Sequence, residues 1–375
     1  KNELIGPHDY ANFARGNFSQ TVAQVYLGYQ QLLQRYKALD FADLLGEMVK
    51  LLKNNPEVRE KLQETYKFIL VDEYQDTNKA QYEITKELAR KYRNLTVVGD
   101  ASQAIYSWRG ADIKNLEKFK NDFPNTTIFK LEKNYRSTQV ILDFAHQIIL
   151  KNKTHPILQL ISEKEKGEEI YFYEADNEQE EGIFVVNEIR KLQGTANSES
   201  IALLYRTNAQ SRVLEEVFLH FSMPYALIGG VRFYERREIK DLISYIRLFI
   251  NPNDELSKDR IIKLGKRKWE KFKNLYSKIK DQIQSITTEQ VINRIFESTG
   301  YLEFYDEKVP EDFSRLENIK ELKSVAIRFP DIGNFLEQVA LVESEYFESE
   351  KRNVGKEGIK LMTLHQSKGL EFDTV

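Results

Sequence analysis

The spacing of apolar residues changes several times along this chain, and each change marks an element. Val22, Val25, Tyr26, Tyr29, Leu32 and Tyr36 recur at three- and four-residue intervals, the stripe of an amphipathic helix. At Phe68–Val71 four apolar residues run unbroken into Asp72 and Glu73, then Gln75 and Asp76, as a buried parallel strand would. Leu95–Asp100 (LTVVGD) and Thr126–Ser137 (TTIFKLEKNYRS) read as further strands, with helices over Asn78–Lys91 and Asp112–Asp122 between them. The alternation resumes with strand Glu168–Ala175 (EEIYFYEA), helix Glu178–Leu192, strand Ser200–Arg206 (SIALLYR) and helix Ala209–His220. A mostly helical stretch over 254–352 follows, and then the strand Ile359–Leu364 (IKLMTL). The expected fold class is therefore α/β with parallel sheets, in which ligands bind at the carboxyl ends of the strands.

Those strand ends carry the polar residues. Asp72 is placed to hold Mg²⁺ and Glu73 to orient or deprotonate an attacking water, although a strand followed by a solvated acidic turn has the same spacing. Gln103, just after Asp100, has an amide that both donates and accepts, as a phosphate sensor needs. Arg136, in Asn134-Tyr135-Arg136-Ser137, offers a planar fork of donors for charge developing on a phosphoryl group. Tyr106, Trp108 and Arg109 form an aromatic and basic cluster suited to base stacking and phosphate contact, while core packing is the ordinary use of an isolated Trp.

Composition narrows the classes. No apolar run approaches the ~18 residues of a membrane span. The absence of Cys excludes disulfides and thiolate zinc sites, and five His without HExxH make no case for a metalloprotease. A cytoplasmic location is the default expectation. With 55 basic and 58 acidic residues the net charge is −3, so nucleic acid would have to be held by local grooves and stacking. The exception is Lys263–Lys280, with eight Lys or Arg against one Glu. Trp269, Phe272, Tyr276 and Ile279 fall at helical spacing within it, so both a solvated amphipathic helix and a duplex-phosphate contact remain open.

Taken together, VDEYQDTNKAQY, VGDASQAIYSWRGAD, LEKNYRST, LLYRTNAQSR, GGVRFYERREIKD and LMTLHQSKGLEF resemble successive motifs of the UvrD/PcrA/Rep helicases of superfamily 1A, in order and across nearly the whole chain. The likeness is nearest to the PcrA/UvrD branch. It implies an ATP- and Mg²⁺-dependent 3′→5′ DNA helicase or translocase acting on single-stranded DNA and single-strand/duplex junctions, with repair or replication proteins as further partners. The implied architecture is two RecA-like parallel-sheet motor domains, both incomplete, with mostly helical inserted subdomains. These are a helical 1B-like region over 1–60, part of motor domain 1A over 61–150, and motor domain 2A over 151–253. A 2B-like insertion over 254–352 and a return to 2A over 353–375 complete it.

By the same resemblance Glu73, Gln103 and Arg136 are catalytic, Asp72 binds the metal, Tyr135 packs on adenine and Glu371 approaches the ribose. Tyr106, Trp108, Arg109, Arg206, Asn208 and His365 contact DNA. Phe233, Glu235 and Arg236 read as inter-domain architecture. The resemblance further implies that nucleotide binding closes the two motor domains and that hydrolysis reopens them.

Two departures qualify the match. No GxxxxGK[ST] occurs in the chain and no arginine-bearing motif VI follows Glu371. A central fragment with weak or no ATP turnover, but measurable single-strand binding at low salt, is therefore expected. Around Arg260–Gly265 several residues of the family's hairpin pattern have no counterpart, through either a shortened hairpin or a missing loop, which leaves its duplex-contact role open. An ATP-independent DNA-binding or partner-docking remnant, and the motor part of a helicase–nuclease, also stay open. Retention of Asp72, Glu73, Gln103 and Arg136 together argues against a remnant.

Overall fold

The computed structural model describes residues 1–192, 200–351 and 358–375; the side chains of Arg109 and of residues 348–351 lie outside the description. The chain forms two compact units, Lys1–Ile170 and Tyr171–Val375.

Unit 1 begins with four helices, α1 (Pro7–Phe13), α2 (Gly16–Arg35), α3 (Phe41–Asn54) and α4 (Pro56–Thr65). Asp40 starts α3 through a reciprocal capping box with Asp43, each side chain accepting the other's backbone N–H. Then come β1 (Ile69–Val71), α5 (Lys79–Ala89), β2 (Leu95–Val97), α6 (Lys114–Asp122), β3 (Lys133–Asn134), α7 (Gln139–Ile149) and β4 (Ile161–Ser162). β1 pairs in parallel with β2, Val71 opposite Val97, and β3 pairs in parallel with β4. Ile69 and Val71 turn to one face of the short sheet, Phe68 and Leu70 to the other. Val71, Leu95 and Val97 pack on buried Tyr74, Tyr82 and Phe119, whereas Phe68 and Leu70 are about three-quarters exposed. The strand is parallel as expected, but only the Ile69–Val71 face is half-buried, because the packed aromatics lie on that side alone among the described residues.

Two strand expectations are corrected. Of Thr126–Ser137 only Lys133–Asn134 joins a ladder, and its partner is β4 rather than β1 or β2. Glu168–Ala175 forms no strand. Its aromatics go elsewhere: the Tyr173 ring stacks on Phe184 at 3.8 Å. Extended segments become strands when a neighbouring edge supplies their backbone partners, and among the described residues no ladder takes in 126–132 or Glu168–Ala175. The apolar stripe of α2 is helical as expected, yet Val25, Tyr29, Leu32 and Tyr36 are exposed and Ala23 is its one buried residue.

Unit 2 contains α8 (Glu178–Leu192), β5 (Ala202–Tyr205), α9 (Ser211–His220), β6 (Tyr225–Leu227) and α10 (Arg237–Ile250). Helices α11 (Glu255–Lys263), α12 (Lys266–Ile279), α13 (Thr288–Thr299), α14 (Pro310–Arg328) and α15 (Ile332–Lys351) follow, then β7 (Ile359–Thr363). Although last in sequence, β7 lies between β5 and β6 in a parallel three-stranded sheet, Tyr205 opposite Thr363. Its central place explains the full burial of Ile359, Leu361 and Met362.

Two cores result. Val186, Ile189, Val213, Phe218 and Tyr225 pack against the sheet residues. A second, larger core runs from Phe233 to Tyr346 through the helices. Each large side chain so buried contributes roughly 1.5–3 kcal/mol. Arg212, fully buried on α9, joins them by donating to Glu216 on its own helix at 2.8 Å and to Glu321 on α14 at 2.7 Å. Among the described residues the architecture is thus mostly helical with three small parallel sheets.

Candidate functional site

In unit 1 the chain leaves β1 at Val71 and turns sharply. Asp72 Oδ1 accepts the backbone N–H of Glu73 at 2.8 Å, and Glu73 sits in the left-handed region at φ 50°, ψ 41°. For a residue with a Cβ such a conformation costs about 1–3 kcal/mol and persists where neighbours over-determine it. The 3₁₀ turn Tyr74–Asp76 and the capping box of α5, in which Asn78 and Gln81 satisfy each other's backbone N–H, fix the chain just beyond. Both carboxylates face solvent.

β2 ends alongside. Tyr74 N donates to Val98 O at 2.9 Å, and the Asp100 carboxylate then accepts the Ser102 N–H and the Gln103 side-chain amide, each at 2.9 Å. Gln75, 1% exposed, donates to Glu73 Oε2 at 2.6 Å and accepts the Asp100 N–H at 3.0 Å. Asp72, Glu73 and Gln103 are therefore brought together at the carboxyl ends of two adjacent parallel strands. Gln75 and Asp100 were missed as site residues. Gln75 was visible in the motif, but nothing in a sequence shows both ends of an amide in use. His155 was missed as well: its Nε2 lies 2.9 Å from Ser102 Oγ, from 53 residues away, with no local signal to mark it.

The aromatic cluster follows directly. Tyr106 and Trp108 have ring centroids 6.5 Å apart, and Trp108 is 47% exposed, not core. The backbone of Arg109 is described but its side chain is not. The loop is pinned behind: Asp112 N donates to Thr77 O at 3.1 Å and Asn115 Nδ2 to the same carbonyl at 2.9 Å. One segment thus starts at Gln103 and ends on the residues that follow Glu73.

Tyr135 and Arg136 directly follow β3, and both are exposed. The Asn134 side chain accepts the backbone N–H groups of Arg136 (3.0 Å) and Ser137 (2.8 Å), which shapes the turn that presents them. Ser162 Oγ donates to Ser137 O at 2.8 Å and backs it from β4.

In unit 2 the ends of β5 and β7 carry the expected pair. Arg206 Nη1 donates to His365 Nδ1 at 3.1 Å, which sets the neutral ring's hydrogen on Nε2. Gln210 accepts the Arg206 and Thr207 N–H groups at 2.9 Å and fixes the turn that holds half-buried Asn208. Glu371 lies exposed beyond β7. Buried Arg236 bonds Ser211 at 2.9 Å and Asn318 at 2.8 Å, joining α9 to α14 as an architectural residue. Glu215, wholly buried beside it, accepts from Ser211 and Tyr346; burial pushes its carboxyl up, and those hydrogen bonds and Arg236 oppose the rise.

The basic stretch forms α12. Phe272, Leu275 and Ile279 are buried, and Trp269 and Tyr276 pack against the same core. Lys268 is used internally: it donates to the Thr299 and Gly300 carbonyls that end α13 and lies 4.2 Å from the Phe304 ring centroid. Before α12, Leu264 and Gly265 (φ 133°) make a tight turn from α11.

Residues 1–124 match the model of the UvrD/REP helicase N-terminal domain, and residues 129–290 and 263–375 match the UvrD-like helicase C-terminal domain. The chain belongs to the UvrD/REP helicase family. It is 41% identical to the ATP-dependent DNA helicase PcrA of Staphylococcus aureus, with all of this chain and 57% of that protein covered. It is 39% identical to the Bacillus subtilis protein of the same name, covering all of this chain and 58% of that one. The chain therefore spans a little over half the length of these relatives. The S. aureus match extends over 424 positions against 375 residues here, so that relative carries residues without a counterpart in this UvrD/REP chain. Among its described residues no helix is long and apolar enough to cross a membrane, and no group of three or more His, Cys, Asp or Glu is placed to hold a metal ion.

Proposed function

We propose that this chain carries the nucleotide- and DNA-handling elements of an ATP-dependent 3′→5′ DNA helicase or translocase. Its substrates are single-stranded DNA and single-strand/duplex junctions met in repair or replication. The observation that carries the reading is the joined set Asp72, Glu73 and Gln103 at the ends of two parallel strands, with the exposed Tyr106–Trp108 pair on the same segment.

The donor set fits a Mg²⁺–nucleotide. Magnesium takes hard oxygen ligands, keeps several waters and needs only one or two carboxylates beside phosphate oxygens, so a single Asp72 suffices. ATP with Mg²⁺, when bound, supplies the phosphoanhydride bond to be cleaved and the charge that balances its oxygens. Glu73, held outward by its left-handed backbone, positions a water and takes its proton. Gln103 offers its amide to a terminal phosphate oxygen or to that water. Arg136 stabilises negative charge on the transferred group, Tyr135 packs on the adenine and Glu371 takes the ribose. Trp108 and Tyr106 stack bases, while Arg109, Arg206, Asn208 and His365 hold the strand's backbone. The 375 residues contain no GxxxxGK[ST] loop, so turnover by this stretch alone is expected to be weak, with single-strand binding retained at low salt.

Strand separation by the full-length protein tests the polarity. With ATP, a duplex bearing a 3′ single-stranded tail should be unwound and one bearing a 5′ tail left intact. Unwinding confined to the 5′-tailed duplex, or no dependence on ATP, would contradict the reading.

A further inference from the structure

Gln75 is nearly sealed from solvent, yet its side chain bridges two exposed functional segments. A backbone N–H can only donate, so the Asp100 N–H fixes the carboxamide oxygen toward the β2 end. The NH₂ group is thereby turned to the Glu73 carboxylate, which in its ionised form can only accept. The residue type is specific: a Glu at this position would set carboxylate against carboxylate, and a Met would satisfy neither end. Beyond Asp100 the line continues through its carboxylate to the Gln103 amide. A hydrogen-bonded path thus runs from the Glu73 carboxylate to the Gln103 side chain.

Gly99 supplies a second, independent observation. A Cβ at Gly99 would lie 2.7 Å from Gln75 Oε1 and 3.3 Å from the backbone nitrogens of Tyr74 and Gln75. The glycine leaves room for the Gln75 amide to reach the next residue's N–H. Sequence and space are therefore both committed to this bridge.

We propose that Gln75 is a positioning residue that aims the Glu73 carboxylate and ties it to the Asp100–Gln103 turn, with Gly99 as the gap that admits it. The inference rests on the proposed ATP-hydrolysing function. On this view the water-positioning group and the phosphate-sensing group shift together, and removing the bridge slows the chemical step without loosening nucleotide binding.

The test is single-strand-stimulated ATP hydrolysis by the full-length protein and its variants Gln75→Ala, Gly99→Ala and the double variant, beside Glu73→Gln. Thermal melting and single-strand affinity are measured on each. Gln75→Ala is expected to lower kcat roughly 10- to 100-fold, the scale of a misplaced catalytic group, with the KM for ATP changed less than about threefold. Gly99→Ala is expected to lower kcat similarly by displacing the amide, and to have little further effect once Gln75 is Ala.

If Gln75→Ala does not fold, Gly99→Ala alone decides, since it keeps the native Gln75 side chain and crowds its Oε1 most closely, the Tyr74 and Gln75 backbone nitrogens less so. Wild-type kcat in the folded single variants, additive losses in the double variant, or losses confined to KM would overturn the inference and leave the function standing. An unstimulated wild type, or an active Glu73→Gln, would overturn both.

Discussion

Arg206 and His365 come from strands 159 residues apart and meet through one hydrogen bond at the rim of unit 2. A guanidinium held at one nitrogen keeps further N–H donors, the kind a phosphate oxygen needs. Arg206→Ala and His365→Ala should each weaken binding of a fluorescent oligothymidine about 5- to 20-fold at low salt. The double variant should lose less than the product of the two, because the residues share a contact. Arg206→Ala should also reduce the salt dependence of binding by about one ion. Losses that multiply fully would show that the pair does not act as a unit. Residue types at the strand ends were legible in the sequence, and the proposed chemistry would use them as acids for a metal and a water, an amide for a sensor and a guanidinium for charge. The bridging use of Gln75 and the reach of His155 were not, since both are set by three-dimensional proximity.

Among the elements, helices were read well and strands poorly. Helix periodicity is local: Glu178–Leu192 matches its expected span, and the face of α12 packs where its spacing places it. A strand needs a partner that may come from anywhere in the chain. Thus β7 was recognisable from its apolar run, whereas Glu168–Ala175 has the same pattern and no ladder. Helix α6, which anchors the aromatic loop, depends on acids at both ends. At Asp122 burial pushes the carboxyl up, but hydrogen bonds from Lys86 and Tyr82 outweigh it and hold it below the ordinary value of 3.8. At Asp112 Lys118 and the Lys114 N–H overcome burial in the same direction. A lowered folded-state value adds stability above the unfolded value and loses it as pH falls through the folded one. Unit 1 should therefore hold its stability above pH 4 and lose it below. Asp122→Asn should flatten that acid slope and cost about 0.5–1 kcal/mol at neutral pH. Urea midpoints between pH 2.5 and 7 check this; an unchanged acid slope in the variant would contradict it.

At the scale of the molecule, the two units carry different parts of one proposed activity. In that proposal unit 1 supplies the carboxylates, the sensor, the stacking pair and Arg109, and unit 2 supplies Arg206, Asn208 and His365. Family membership was legible in the order of the motifs, which the matches over 1–124, 129–290 and 263–375 bear out. The extent of the sheets was not, because pairing is a property of the whole chain. The central claim is that Asp72, Glu73 and Gln103 serve nucleotide hydrolysis coupled to single-stranded DNA. ATP hydrolysis by the full-length protein, with and without oligothymidine and beside Glu73→Gln, tests it most directly. The account predicts turnover that rises with the single strand and falls at least about 100-fold in Glu73→Gln, the scale of general-base loss. Turnover indifferent to DNA, or retained in the variant, would contradict it.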